Sequence, residues 1–151
     1  MQFDFGEISL DIKRRVYPMI GSGSARAVFD LKNGYVVKKA VNRKGLEQNK
    51  AEYQIASMTH SDLFAKIIAI SDDYIYLIME KAEKVRSLSI VLSYFNVRNI
   101  RELFRRQEYS DITSKYHLLL PDFYRHSNWG LINGRPVIID YGFTKEVRRF
   151  Y

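Results

Sequence analysis

The stretch DFYRHSNWGLINGRPVIIDYG, residues 122–142, holds the densest set of chemical signals in the chain. Asp122 and Asn128 flank a polar segment that runs straight into Trp129-Gly130. Apolar residues on both sides of Asn133-Gly134 then predict a β-hairpin with a type I′ turn, because that turn needs positive φ at both central positions. The returning strand, Pro136 to Asp140, ends in a carboxylate beside Tyr141-Gly142. A carboxylate at the end of a strand beside a glycine turn suits Mg²⁺, which takes few protein oxygens and completes its shell with substrate phosphates. An asparagine such as Asn128 adds a neutral oxygen ligand. Taken alone, Asp140-Tyr141-Gly142 also reads as a plain turn in which the Asp side chain accepts backbone hydrogen bonds.

Upstream of this stretch, Ile20-Gly21-Ser22-Gly23-Ser24 reads as a flexible turn and Ala27–Leu31 as a strand. Asn33-Gly34 marks a hairpin, and Tyr35–Val41 is the returning strand. Lys44–Met58 has helix-forming composition, with apolar residues in two sets: Leu46, Tyr53 and Ala56, then Ala51, Ile55 and Met58. Phe64–Ile70 and Tyr74–Met79 are β-rich runs joined by Ser71-Asp72-Asp73. Ser87–Phe95 and Ile100–Gln107 read as helices, and Pro121 ends the short apolar run Leu118–Leu120. Strands, one helix, strands, helices and a hairpin make an α+β order rather than a βαβ repeat.

Gly21-Ser22-Gly23 lies between strands, which excludes the dinucleotide and Walker A readings, since both need a helix behind the glycines. Glycines at a hairpin tip can still lie over phosphates, because backbone N–H groups approach closely where side chains are missing. Lys38 and Lys39 sit in an apolar strand and alternate between its faces, so one of them can point toward whatever the glycine turn covers. Glu52, on the following helix, can neutralise and orient that lysine. Each feature has an ordinary alternative: a flexible turn, an edge strand with solvated lysines, a surface glutamate.

Composition bounds the remaining classes. The 151 residues carry 24 basic and 17 acidic side chains, a net charge of +7 that suits a polyanionic ligand. Such a length fits one domain, and 46% hydrophobic residues with 8 Gly and 3 Pro is a globular composition. The absence of cysteine excludes a disulfide scaffold, a thiolate zinc site and a cysteine nucleophile. His60, His117 and His126 share no ligand spacing. No apolar run nears the ~18 residues of a membrane helix, and MQFDFGEISLDIKRR lacks the basic-then-apolar order of an export signal. A cytoplasmic location and no membrane partner are therefore expected.

In chain order these features are a glycine hairpin, a strand lysine, a helical glutamate, two strands, helices, an Asp–Asn loop, a tight hairpin and Asp-x-Gly. That is the order of the protein-kinase signature set. On IGSGSARAVF (20–29), VVKKAVNRKGLEQNKAEY (36–53), LIMEKAE (77–83) and residues 122–142, the sequence resembles the protein-kinase-like superfamily. The similarity is greatest to very small kinase-like proteins of bacteria and their phages. The resemblance implies a truncated kinase-like fold in a single domain, residues 1–151. It would comprise an N-lobe (1–83) of antiparallel sheet with one packed helix and a minimal helical C-lobe (84–151). By the same resemblance Gly21 and Gly23 cover phosphates, Lys38 contacts the α/β-phosphates and pairs with Glu52, and Glu80 to Glu83 form the adenine hinge. Asp122 is the implied catalytic base, Asn128 and Asp140 the implied Mg²⁺ ligands, and ATP with Mg²⁺ the implied cofactors.

Three departures stand against that pattern. Arg26 replaces the third glycine of the loop, where it would either clash with phosphates or bind them. Asp122 follows Leu120-Pro121 rather than His-Arg, and it stands six positions before Asn128 where the family motif has five. Phe123 takes the strictly spaced position. Nine residues follow Gly142, so no activation segment is expected. The leading reading is an ATP·Mg²⁺-binding phosphotransferase of unspecified acceptor. The alternative is an inactive kinase-fold module that docks on and regulates another protein. Arg98, Arg101, Arg105, Arg106, Arg148 and Arg149 read as a solvated basic face. No nucleic-acid-binding motif accompanies them, so nucleic acid is not an expected partner.

Overall fold

The computed structural model describes residues 2–151. Its first element, helix α1 (Phe5–Lys13), lies where the sequence reading placed no structure. Its local signals are Asp4 at the N-cap, whose carboxylate accepts the Glu7 N–H at 3.0 Å, and the pair Ile8 and Ile12 on one face. These two isoleucines bury against Phe29, Val37 and Ile78 and cover one face of the main sheet.

That sheet contains β1 (Met19–Ser22), β2 (Arg26–Asp30), β3 (Tyr35–Ala40), β4 (Ile67–Ile70) and β5 (Tyr76–Glu80), ordered β1-β2-β3-β5-β4 and antiparallel at every pairing. The expected turn at 20–24 is shorter than its sequence suggests. Gly21 is a strand residue paired with Val28, and the reversal occupies Gly23 to Ala25. The turn at Asn33-Gly34 is also not a two-residue one. Leu31 N–H donates to the Tyr35 carbonyl at 3.0 Å, with positive φ at Lys32 and Gly34.

Helix α2 (Arg43–Met58) packs on the sheet face opposite α1. Its buried residues are Gly45, Asn49, Glu52 and Ile55, a single stripe at helical spacing that is mostly polar. The two apolar sets read from the sequence do not define the packing, since Tyr53 and Met58 are exposed. The start of α2 is fixed by Asn42, which accepts the Gly45 N–H and donates to the Ser24 carbonyl. At Gly45 a Cβ would lie 2.2 Å from the Ala25 carbonyl oxygen and 3.0 Å from Ala40 Cα. Gly45→Ala is therefore expected to destabilise the fold by roughly 1–3 kcal/mol through overpacking. At an open helical position the same change would stabilise by up to about 1 kcal/mol. A urea melt of the variant decides between these signs.

A second, three-stranded sheet is built from β6 (Glu83–Lys84), β7 (Trp129–Ile132) and β8 (Arg135–Ile138). Asn133 and Gly134 have φ of 52° and 78°, the two positive values of the expected type I′ hairpin. Strand β8 is tied to the segment before β4, because Ile138 N–H donates to the Leu63 carbonyl and Ala65 N–H to the Ile138 carbonyl. This seam joins the Asp140 end of the hairpin to the main sheet. Helices α3 (Leu88–Phe95), α4 (Ile100–Leu103) and α5 (Ile112–Lys115) precede the hairpin in the chain, and α6 (Lys145–Arg148) follows it. The helix expected over 100–107 is a single turn that continues as irregular turns. The larger core cluster gathers Val91, Leu103, Phe123, Trp129, Val137 and Tyr141 beneath the hairpin. No described helix is long and apolar enough to cross a membrane.

Candidate functional site

The polar stripe of α2 faces the α2 side of β3, where the period-2 alternation places Val36, Lys38 and Ala40. Lys38 is buried there, and its Nζ lies 2.8 Å from Glu52 Oε1. Lys39, on the other face, is only partly covered. Lys38 Nζ also donates to the Ile139 carbonyl, so the lysine reaches the backbone immediately before Asp140.

Glu52 is fully buried. Besides Lys38, its carboxylate accepts from Arg26 Nη2 at 2.7 Å and from the Tyr141 N–H at 3.2 Å. Burial alone would raise its pKa, but the charges of Arg26 and Lys38 outweigh burial and hold it at about 2. Burial lowers the pKa of Lys38, with Arg26 adding to the effect and Glu52 and Asp140 opposing it. Arg26 also loses solvation, yet Glu52 and Asp140 more than offset this and raise its pKa.

Arg26 is the residue whose place the sequence left open. It is the first residue of β2, and its side chain is buried rather than turned out to solvent. The guanidinium bonds Asn49 Oδ1 at 3.1 Å, Glu52 Oε2 at 2.7 Å and Asp140 Oδ1 at 2.6 Å. Asn49 was also missed. It is fully buried, and its amide donates to the Tyr74 and Ile75 carbonyls as well as holding Arg26. The available signal was the polar spacing Gly45–Asn49–Glu52 on one face of α2. Gly142 completes the junction, because a Cβ there would stand 2.5 Å from the Gln48 carbonyl oxygen and 3.0 Å from Glu52 Oε2. Only glycine lets the turn after Asp140 lie directly on α2.

Asp140 and Asn128 sit at adjoining ends of the hairpin, where Ile139 N–H donates to the Asn128 carbonyl at 2.9 Å. Asp140 has a half-exposed side chain, and its second oxygen accepts no hydrogen bond among the described residues. Asn128 Nδ2 donates to the Asp122 carbonyl at 2.6 Å, and its amide oxygen accepts no hydrogen bond among the described residues. Among the described residues no three His, Asp or Glu side chains converge as a metal cage. One carboxylate oxygen and one amide oxygen do suit Mg²⁺, which is commonly held by few protein oxygens together with phosphates.

Asp122 lies in the 3₁₀ turn Leu120–Tyr124, partly buried. Burial raises its pKa, helped by the charge of Asp140 and opposed by Arg125 and Arg148. Gly21 and Gly23 lie at the outer edge of the sheet, and a Cβ at Gly23 would meet nothing within 4 Å. Glu80 closes β5 and accepts the Lys66 N–H, while Glu83 opens β6, so the segment between them links the two sheets. Arg101, Arg105, Arg148 and Arg149 are exposed, whereas Arg106 bonds the Phe95 carbonyl and Arg98 pairs with Glu102.

No protein-family model matches the chain, and no curated protein matches its sequence. Among solved structures it is similar to the aminoglycoside phosphotransferase APH(2")-IIa, in a ternary complex with streptomycin and ATP. The similarity has a TM-score of 0.52 at 16% identity and covers 94% of this chain and 72% of that one. The fold is α+β and protein-kinase-like.

Proposed function

We propose that the chain is an ATP-binding, phosphotransferase-like protein whose reaction is phosphoryl transfer to an acceptor hydroxyl. The observation that carries this reading is the buried Lys38–Glu52 pair, continued through the Ile139 carbonyl to Asp140, which lies two residues beyond the end of β8 rather than within the strand as expected. Phosphoryl transfer asks mostly for positioning and charge stabilisation, and a lysine fixed by a buried carboxylate supplies both. Lys38 would hold the α/β-phosphates, with Gly21 and Gly23 above them and Glu80 to Glu83 beside the base. Asn128 and Asp140 would hold Mg²⁺, which would neutralise phosphate charge, and Asp122 would accept the proton of the attacking hydroxyl. The division into an N-lobe to residue 83 and a small C-lobe belongs to the same reading. So do the likeness to small bacterial and phage kinase-like proteins and a cytoplasmic location.

Nucleotide titration with and without Mg²⁺ tests the reading. A ligand at 100 times its Kd adds about 2.7 kcal/mol of stability, so millimolar ATP should raise the melting temperature by several degrees, and less in EDTA. Lys38→Met should weaken the shift with or without metal. The absence of any shift at all nucleotide concentrations would overturn the proposal in favour of the inactive docking module. One observation favours that second reading: Asp140 is already engaged by Arg26.

A further inference from the structure

Arg26 and a divalent cation make the same demand on Asp140. The Arg26 side chain is 6% exposed and its guanidinium reaches Asp140 Oδ1 at 2.6 Å, while the Asp140 side chain itself is 51% exposed. A buried guanidinium persists only with compensating carboxylates, and Arg26 has two, Glu52 and Asp140. Lys38, Arg26, Glu52 and Asp140 together form a closed set of two positive and two negative charges. A dication on the free oxygen of Asp140 with Arg26 still on the other would make one carboxylate serve two cations at once, beside the buried Lys38.

We propose that Arg26 is the resident cation of the metal position: it holds Asp140 while no metal is bound, and a divalent ion gains Asp140 only by displacing it. The proposal rests on the reading of Asp140 as a metal ligand given above. The fold makes displacement feasible. Arg26 keeps Glu52, shared with Lys38, and Asn49 when Asp140 leaves, so its guanidinium retains a carboxylate and an amide partner. Arg26 also begins β2 directly after the glycine turn, so the Nη2 hydrogen bond released by Asp140 belongs to a residue adjoining the segment proposed to cover the phosphates. The residue at the third glycine position thus takes part in ligand binding, and it sets the metal requirement of the site.

The test is a Mn²⁺ titration of the full chain without nucleotide, read by paramagnetic broadening of the Tyr141 and Gly142 amide signals. Arg26→Gln should need at least tenfold less Mn²⁺ than the wild type for half-broadening. Adding Asp140→Asn to that variant should abolish the gain, and Arg26→Lys, which keeps the charge, should stay close to wild type. Equal Mn²⁺ affinity in wild type and Arg26→Gln, or no broadening in either, would overturn the proposal whether or not ATP binds. Should Arg26→Gln fail to fold, the wild-type guanidinium signal of Arg26 decides. It should shift when diamagnetic Mg²⁺, alone or with ATP, saturates the site, and an unchanged signal at saturation would refute displacement.

Discussion

Glu52→Gln is expected to destabilise the fold by about 3–5 kcal/mol, the range for removing one partner from a buried ion pair. The carboxylate takes Lys38 on one oxygen and both Arg26 and the Tyr141 N–H on the other. A glutamine offers one acceptor oxygen and turns an NH₂ group toward the second set of donors, leaving buried cations against a donor. For a domain of this size the loss corresponds to a melting temperature lowered by roughly 10 °C or more. Replacing Glu52, Lys38 and Arg26 together by apolar residues of similar volume should recover much of it, because neutral packing often equals a buried ion network. Failure of that triple replacement to recover stability would locate the effect in packing rather than charge. The pH dependence has a definite sign. With its pKa held at about 2 in the fold, Glu52 binds fewer protons than in the unfolded chain. Its contribution is complete above the ordinary glutamate pKa of about 4.3 and is lost as pH falls from there toward 2. Asp30, Asp73 and Glu146 are also held below their usual range. The measurement is therefore the difference between wild-type and Glu52→Gln stability, which should shrink steadily across that window.

How legible each part was depends on how local its cause is. The Asn133-Gly134 hairpin and the alternation that turns Lys38 inward are set by neighbours in the chain, and both follow from residue spacing. Helix α1 had local signals too, in Asp4 and in the Ile8–Ile12 pair, but a short acidic and basic segment obscured them. The buried face of α2 is not the one its apolar residues mark. Here burial selects Gly45, Asn49 and Glu52, which is what a helix lining a charged site requires. Arg26 was the least legible. Its partner Asp140 lies 114 residues further along the chain, and no local pattern says whether an arginine in a glycine loop points out toward solvent or in toward two carboxylates. The same contact makes the Asp-x-Gly turn a structural junction as well as a candidate ligand site.

Asp122→Asn is expected to leave ATP binding intact and to cut phosphoryl transfer or ATP hydrolysis by ~10²-fold or more, the scale on which a positioned general base acts. The misfit in spacing is resolved by where Phe123 goes. That side chain, at the strictly spaced position, is 1% exposed and stacked on Phe104 with ring centroids 5.3 Å apart, so it belongs to the core. Two consecutive 3₁₀ turns, Leu120–Tyr124 and His126–Asn128, absorb the extra residue. The amide of Asn128 spans the loop to the Asp122 carbonyl, tying the base candidate to the metal-ligand candidate. In a purely structural role the Asp122 carboxylate would accept loop N–H groups, yet it accepts no hydrogen bond among the described residues. A carboxylate that is partly desolvated, lacks such bonds and has a raised pKa is a stronger base than an ordinary aspartate. The acid limb of the rate profile should accordingly lie above the usual aspartate range, since the group must be ionised to take a proton. Asp122→Asn should shift the melting temperature little, because no hydrogen bond is lost. A stability loss of ~1 kcal/mol or more with unchanged turnover per folded molecule would reassign Asp122 to the scaffold. A wild-type protein that binds ATP but neither transfers nor hydrolyses the γ-phosphate would make the chain an inactive kinase-fold module, whatever the fate of the variant.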